Sequence, residues 1–177
     1  MVDLAVAIST AQRRPYSETC YRQQSPKYDP LSGEGARMQG GRFNPPNSFP
    51  VLYLCSTAGC VAAEFMRFAT DHPIGPAGFL PRSLYRYAVE FSNVLNLTDP
   101  ATLDHLDVAA DRLVQEDRTL THQIGELAHQ FLYQGVLNGS ATGVDNVLSV
   151  FTDNLRGGRL LPELEATWND LDDIPIF

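Results

Sequence analysis

Little in this chain ties it to nucleic acid, a membrane or an oxidising compartment. Of its 177 residues only three are cysteines, Cys20, Cys55 and Cys60. They form no CxxC pair and leave an odd thiol, which argues against a disulfide framework or zinc ribbon and for reduced thiols in a cytoplasmic protein. Basic residues are outnumbered, 13 against 21 acidic, for a formal net charge of -8; such a chain repels polyphosphate surfaces, so sequence-nonspecific binding of nucleic acid is not expected. No apolar run approaches the roughly 18 residues of a membrane helix, and the first residues lack a basic stretch, so no membrane or export address is expected. Internal repeats and low-complexity segments are missing. So are HExxH, G-x-G-x-x-G after a strand and G-x-x-x-x-G-K-[ST], which removes the zincin, Rossmann and P-loop fingerprints.

What is present fits one globular domain. Hydrophobic residues make up 44% of the chain, with no break in composition that would divide it. Residues 1–15 read as a weakly determined lead-in, followed by a short strand near Thr19–Gln23 that holds Arg22. From Ser25 to Ser48 the chain is rich in Gly and Pro, and a loop of that length is expected to be functional or disordered. Val51–Cys55 is a near-continuous apolar run, the pattern of a central strand covered on both faces. Thr57 is placed to cap a helix to about Ala69. Leu84–Phe91 alternates, with Tyr85, Tyr87, Val89 and Phe91 on the buried side and Arg86 and Glu90 opposite. Amphipathic helices are predicted over Pro100–Gln115 and Thr121–Gln134. Short strands are predicted at Val136–Leu137, Asn146–Phe151 and Arg159–Leu164, before an acidic tail that begins at Trp168.

Glu64 falls on one helical face with Thr57, Cys60, Val61 and Phe68. A carboxylate in an apolar stripe is costly unless paired or hydrogen-bonded, so it implies an Arg or a substrate hydroxyl as partner. The alternative is a surface pair with Arg67 three residues on. Gly33, Gly35, Gly40 and Gly41 surround Arg37 and Arg42. Glycine permits close backbone approach and Arg grips phosphate in a fork, so this loop suits phosphate or pyrophosphate; the alternative is a plain surface loop. Tyr53 could stack on a ring or hydrogen-bond through its hydroxyl, or be an ordinary core tyrosine. Ser140, in Asn-Gly-Ser-Ala-Thr-Gly, misses the G-x-S-x-G elbow and on its own reads as a turn residue. His122 and His129 are expected on the solvated face of their helix.

Taken together, Tyr21-Arg22, Ser-Gly-Glu-Gly-Ala-Arg followed by Gly-Gly-Arg-Phe-Asn-Pro-Pro, the Val-Leu-Tyr-Leu-Cys-Ser strand, Ala-Ala-Glu at 62–64 and Gly139-Ser140 resemble the RES domain family. The resemblance spans about Tyr21 to Leu161, and the even spacing of Arg42, Tyr53 and Glu64 is what makes it specific. It implies a single α+β domain similar to ADP-ribosyltransferases, a central mixed or antiparallel sheet with flanking helices. The domain would cover residues 19–165, after a lead-in over 1–18 and before an acidic tail over 166–177.

The resemblance also implies a function. RES proteins are toxins of type II toxin–antitoxin modules, paired with Xre-type antitoxins that bind over the active-site cleft, and they consume NAD. They cleave the nicotinamide–ribose bond by phosphorolysis or hydrolysis, and some transfer ADP-ribose to a protein. NAD would be substrate rather than cofactor, phosphate a co-substrate, and no metal is expected. Carried over by motif, Arg22 and Arg42 would bind pyrophosphate or phosphate and Tyr53 would pack on the nicotinamide side. Glu64 and Ser140 would act near the scissile ribose, and Asn146 falls where the family often has Asn. Two positions depart from the pattern: Phe43 stands where many members have Trp, and Gly139 where many have Pro before the Ser. The alternatives to an NAD-degrading enzyme are a protein ADP-ribosyltransferase and a non-catalytic nucleotide-binding or partner-binding module.

The chemistry agrees with the residue types. Breaking an N-glycosidic bond to a cationic nicotinamide leaves an oxocarbenium-like ribose that one carboxylate can stabilise. Nicotinamide leaves neutral, so no general acid has to protonate it.

Overall fold

A computed structural model describes residues 2–176. Eleven regular elements follow in the order α1 (Leu4–Thr10), β1 (Arg14–Gln24), α2 (Glu34–Gln39), β2 (Val51–Cys55), α3 (Ala58–Thr70), β3 (Arg82–Asn96), α4 (Pro100–Leu106), α5 (Thr119–Gln130), β4 (Gly135–Gly139), β5 (Asn146–Phe151) and β6 (Arg159–Trp168). The strands run in the order β1-β2-β5-β4-β3-β6, and β1 also pairs with β3. Five strands therefore close into a barrel-like ring, and β6 extends it from β3. Every pairing is antiparallel except β3–β4, where Val94 to Asn96 run parallel to Gly135 to Leu137. The fold is a mixed α+β domain.

Alternation along β2 decides what goes inside the ring. Leu52 and Leu54 join Cys20, Tyr87, Val89, Phe91, Leu148 and Val150 in one buried cluster. Val51 turns the other way and packs with Ile8, Phe43, Leu106, Ile124, Tyr133, Val136 and Phe151 beneath α1, α4 and α5. A third cluster joins α3 to the end of β6 through Cys60, Val61, Phe65 and Trp168. A strand residue fully buried this way contributes about 1.5–3 kcal/mol, so a run with both faces covered can anchor a sheet.

Several expectations need correction. The lead-in is structured: Asp3 caps α1 by accepting from the Ala5 and Val6 amides, Ile8 is fully buried, and β1 already pairs with β3 from Arg14 onward. The Gly- and Pro-rich stretch carries α2. The helix expected over Pro100–Gln115 breaks at Asp107, which adopts a left-handed conformation, and resumes as a 3₁₀ turn over Ala110–Leu113. Its apolar stripe survives because Leu106 and Leu113 still point into the core. The second helix, expected over Thr121–Gln134, spans Thr119–Gln130, and Gln134 is instead buried where its side-chain Oε1 accepts the Ser92 and Asn93 amides. Trp168 is not in a tail; it ends β6 fully buried, 5.8 Å from Phe65 ring to ring.

Neither histidine is simply solvated. His122 donates from Nε2 to the Gly41 carbonyl at 2.9 Å. His129 stacks on Phe49 with centroids 4.0 Å apart and lies 3.0 Å from Asp153. One turn beyond His122, Gly125 meets the same loop: a Cβ there would overlap the Phe43 carbonyl oxygen.

The two glycine sites should respond oppositely to alanine. Gly125→Ala gains about 1 kcal/mol of helix propensity but pushes α5 off the Phe43 backbone, and a net loss of about 2–3 kcal/mol is expected from overpacking. Gly35→Ala, in α2 with open space around its Cβ, should be neutral or stabilising by up to about 1 kcal/mol. Denaturant unfolding of both variants checks the pair.

Candidate active site

The outer face of β2, β5 and β4 floors a cleft. Residues opposed in paired strands share a side of the sheet, and the register sets Tyr53 opposite Ser149, Cys55 opposite Val147 and Val147 opposite Asn138. These side chains therefore form one surface. α3 and the Gly40–Asn44 loop help wall it, leaving a cavity of about 580 Å³, of the size that takes a small-molecule substrate.

Glu64 reaches the cleft from α3, whose first turn is capped by Thr57 Oγ1 accepting from the Cys60 amide at 3.1 Å. Its Oε1 accepts a 2.5 Å hydrogen bond from Ser140 Oγ. A hydroxyl has one proton to give, so the Thr142 hydroxyl, 2.7 Å away, must donate to Ser140 Oγ. Ser140 also accepts from the Thr142 amide at 3.1 Å. The serine is thereby saturated and fixed, while Glu64 Oε2 has no hydrogen-bond partner among the described residues and is free to meet a ligand. The alternative pairing of Glu64 with Arg67 is not found: Arg67 bonds Glu116 at 2.9 Å.

The glycine loop is an ordered turn. Gly40, at a φ of 78°, ends α2 with its amide on the Ala36 carbonyl, and the Gly41 amide bonds the Asn44 carbonyl at 2.9 Å. Gly41 sits so close against the Tyr53 ring that a Cβ would overlap it. The Tyr53 hydroxyl donates to Asn44 Oδ1 at 2.6 Å and accepts from the Phe43 amide at 2.9 Å. With its proton committed, Tyr53 offers the cleft its ring rather than an acid. Burial raises its pKa well above the usual phenol value. Arg42, held between these anchors, spends Nη1 on the Leu113 and Gln115 carbonyls at 3.1 and 2.9 Å. Its Nε and Nη2 make no hydrogen bond among the described residues.

Positive charge gathers here in an acidic chain. Arg22, from β1, lines the cleft and makes no ion pair among the described residues; its Nε is buried without a partner. Burial lowers its pKa, and burial followed by the nearby Arg118 and Arg67 lowers that of Arg42. In a low-dielectric site crowded with like charge, an anion would relieve both penalties.

Arg22, Arg42, Tyr53, Glu64 and Ser140 thus line one cleft; Asn146 does not. Strand alternation explains it: Val147 faces the cleft, so Asn146 turns away. Its backbone is used instead, the carbonyl accepting from the Ser56 amide at 2.9 Å and the amide donating to Ser56 Oγ at 3.1 Å.

Comparison with known proteins identifies the family. The RES domain model matches residues 19–169. The chain belongs to the RES domain family. It is 33% identical over 147 residues to the NAD(+) phosphorylase MbcT of Mycobacterium tuberculosis, and equally to that of Mycobacterium bovis, over 82% of this chain and 79% of theirs. Its fold is similar to the crystal structure of the M. tuberculosis MbcT–MbcA toxin–antitoxin complex, with a TM-score of 0.78 at 30% identity over 94% of this chain and 92% of that one.

Sequence reasoning missed Arg118, Asn138 and Ser149, all of which line the cleft of this RES protein. Arg118 stands in a charged stretch before α5, and the other two are isolated polar residues in apolar strands. That isolation was the available signal, since a buried strand has no use for an unpaired polar group.

Tyr53→Phe should separate the ring from its hydroxyl. The Phe43 amide and Asn44 Oδ1 would lose their partner, at a cost of about 1–3 kcal/mol, and the Gly40–Asn44 loop would loosen. Denaturant unfolding and hydrogen exchange at the Phe43 amide measure this; unchanged stability and protection would contradict the tethering role.

Proposed function

We propose that this chain is the toxin of a toxin–antitoxin pair and that it destroys NAD+ by phosphorolysis of the nicotinamide–ribose bond. The observation that carries the reading is the Glu64 carboxylate fixed by Ser140 at 2.5 Å, with one oxygen free, in a cleft that also holds the unpaired Arg22 and the half-free Arg42. The kinship to MbcT, named an NAD(+) phosphorylase, supports it.

In this reading Arg22 and Arg42 neutralise the diphosphate and the incoming phosphate. Glu64 Oε2 accepts a hydrogen bond from a ribose hydroxyl and stabilises the positive charge that develops at the anomeric carbon. A phosphate oxygen forms the new bond to that carbon as the C–N bond breaks. The electron pair goes to the pyridinium nitrogen, nicotinamide departs neutral, and ADP-ribose 1-phosphate remains. NAD+ is the substrate, and no cofactor or metal takes part. The site's likeness to ADP-ribosyltransferases lies in this chemistry: the same bond is broken, and the acceptor decides the product.

Such an activity is lethal unless blocked. We assign the partner as an antitoxin by kinship to the MbcT–MbcA toxin–antitoxin complex, take it to be an Xre-type protein covering the cleft as the family resemblance implies, and place the pair in the cytoplasm, where the substrate and reduced thiols coexist. Among the described residues no helix is long and apolar enough to cross a membrane.

Purified protein incubated with NAD+ should release nicotinamide only when inorganic phosphate is present, with ADP-ribose 1-phosphate identified by mass. Free ADP-ribose would make it a hydrolase, and label on a macromolecule a transferase. Glu64→Gln should lower the rate by at least about 100-fold with the fold intact; wild-type turnover in that variant would remove the role given to Glu64.

A further inference from the structure

Among the described residues, four buried side-chain polar atoms have no hydrogen-bond partner: Arg22 Nε, Asn93 Oδ1, Asn138 Oδ1 and Ser149 Oγ. Three of those residues line the cleft. Arg22 is accounted for by an anion; Asn138 and Ser149 are neutral and call for something else. Both are nearly sealed, at 2% and 0% exposure. Leaving such groups unpaired costs about 1–3 kcal/mol each, and native interiors seldom tolerate it without a ligand or other use for the group.

Their chemistry is complementary to one functional group. Asn138 Nδ2 donates to the Gly139 carbonyl at 2.8 Å, and a carbonyl oxygen has no proton to give Oδ1, so the side chain is oriented and Oδ1 is the atom left over. Oδ1 can only accept. The Ser149 hydroxyl has a proton to donate. Val136 faces Ser149 and Val147 faces Asn138 across β4 and β5, so the two stand diagonally on the cleft side of the sheet, within reach of one planar group. An acceptor beside a hydroxyl donor matches a primary carboxamide, whose NH2 donates and whose oxygen accepts.

We infer that Asn138 Oδ1 and Ser149 Oγ read the carboxamide of the nicotinamide ring and make the site selective against the corresponding carboxylate. The inference rests on the function proposed above. Placement supports it. Ser140, which holds Glu64, lies two residues beyond Asn138, roughly 7 Å along the chain if the extended course of β4 continues. One pyridinium ring, with its carboxamide and its ribose on meta positions, bridges such a step and sets the anomeric carbon beside Glu64 while the Tyr53 ring flanks the floor. A nicotinic acid ring has no N–H for Asn138 and sets a negative charge against Oδ1. A site built around a buried hydrogen-bonding group rejects the analogue lacking the matching group far more strongly than an apolar pocket could.

The test compares NAD+ with nicotinic acid adenine dinucleotide as substrates, and nicotinamide with nicotinic acid as ligands measured by calorimetry. Wild type should prefer NAD+ by at least about 100-fold in kcat/KM and bind nicotinamide but not nicotinic acid. Ser149→Ala removes a hydroxyl that bonds to nothing in the free protein. Its melting temperature should hold or rise, while the preference for NAD+ falls by at least about tenfold and nicotinamide binding weakens in step. Asn138→Ala should lose the preference as well, with some loss of stability from the Gly139 bond. A purely structural serine would leave the preference unmoved. The inference is overturned if wild type cleaves both dinucleotides equally, or if both variants keep the wild-type preference. Should neither dinucleotide be cleaved while nicotinamide alone binds in a Ser149-dependent way, the catalytic reading fails and the carboxamide site stands. If neither is cleaved and nicotinamide does not bind, both fall.

Discussion

The Tyr53 hydroxyl is the joint on which the site depends. One atom accepts the Phe43 amide and donates to Asn44 Oδ1, fastening the Gly40–Asn44 loop to the strand that also forms the cleft floor. From the far side α5 presses on the same segment, His122 donating to the Gly41 carbonyl and Gly125 admitting the Phe43 carbonyl. The loop is held from two sides through its backbone. That leaves the Arg42 side chain, which bonds the carbonyls ending the 3₁₀ turn, as the variable part, and its position follows from anchors on three separate elements. An arginine on a surface loop would otherwise sample many rotamers, at a cost of up to about 2 kcal/mol in lost freedom on binding.

Charge is arranged in opposition to the chain as a whole. A protein of net charge -8 keeps polyanions at a distance, yet Arg22, Arg42, Arg67 and Arg118 border one cavity. A duplex or a large anionic surface meets mostly carboxylates. A small dinucleotide that fits inside the cavity meets the guanidinium groups at short range, where the lower dielectric strengthens them. Two of them are answered within the protein, Arg67 by Glu116 and Arg42 in part by carbonyls, whereas the side chains of Arg22 and Arg118 have no partner among the described residues. Of that pair Arg22 is the one with a buried, unpartnered Nε, which is the condition under which an anionic ligand gains most.

The parts of this design that were legible in the sequence are those with a local signature. The doubly apolar run of β2, the Thr57 cap and the alternation of β3 follow from periodicity and capping chemistry. Arg42, Tyr53 and Glu64 were readable because a loop, a strand and a helix follow each other at even spacing. Other features depend on partners far along the chain. The lead-in forms a helix and the first part of a strand because Ile8 and, further along β1, Cys20 find cores built by α5 and β3. Asp107 breaks a helix whose stripe continues without a flaw in spacing. Asn146 carries the right residue type at a plausible position, but the parity of β5 turns it from the cleft, and parity is fixed by pairing rather than by the local sequence. Asn138 and Ser149 gave a faint signal, two polar residues inside strands whose neighbours are apolar.

That faint signal bears on why the site is stable at all. A cleft floor of valines would fold better than one with an orphaned hydroxyl and an orphaned amide oxygen, and the ring of β1 to β5 has ample buried apolar surface to absorb the difference. The fold therefore retains a penalty it could shed by simple substitution. Ligand binding reverses the penalty, because groups unpaired in the free state lose nothing to water when they meet their partner, and any ligand or partner that binds only the folded state adds its own stabilisation. The same accounting separates Ser140 from Ser149, two serines of the same cleft. The first is saturated and acts by fixing Glu64, so its loss should disturb the free protein; the second is unsatisfied and acts only when the cleft is filled. Position in the hydrogen-bond network, rather than residue type, distinguishes a group that builds the site from one that reads what enters it.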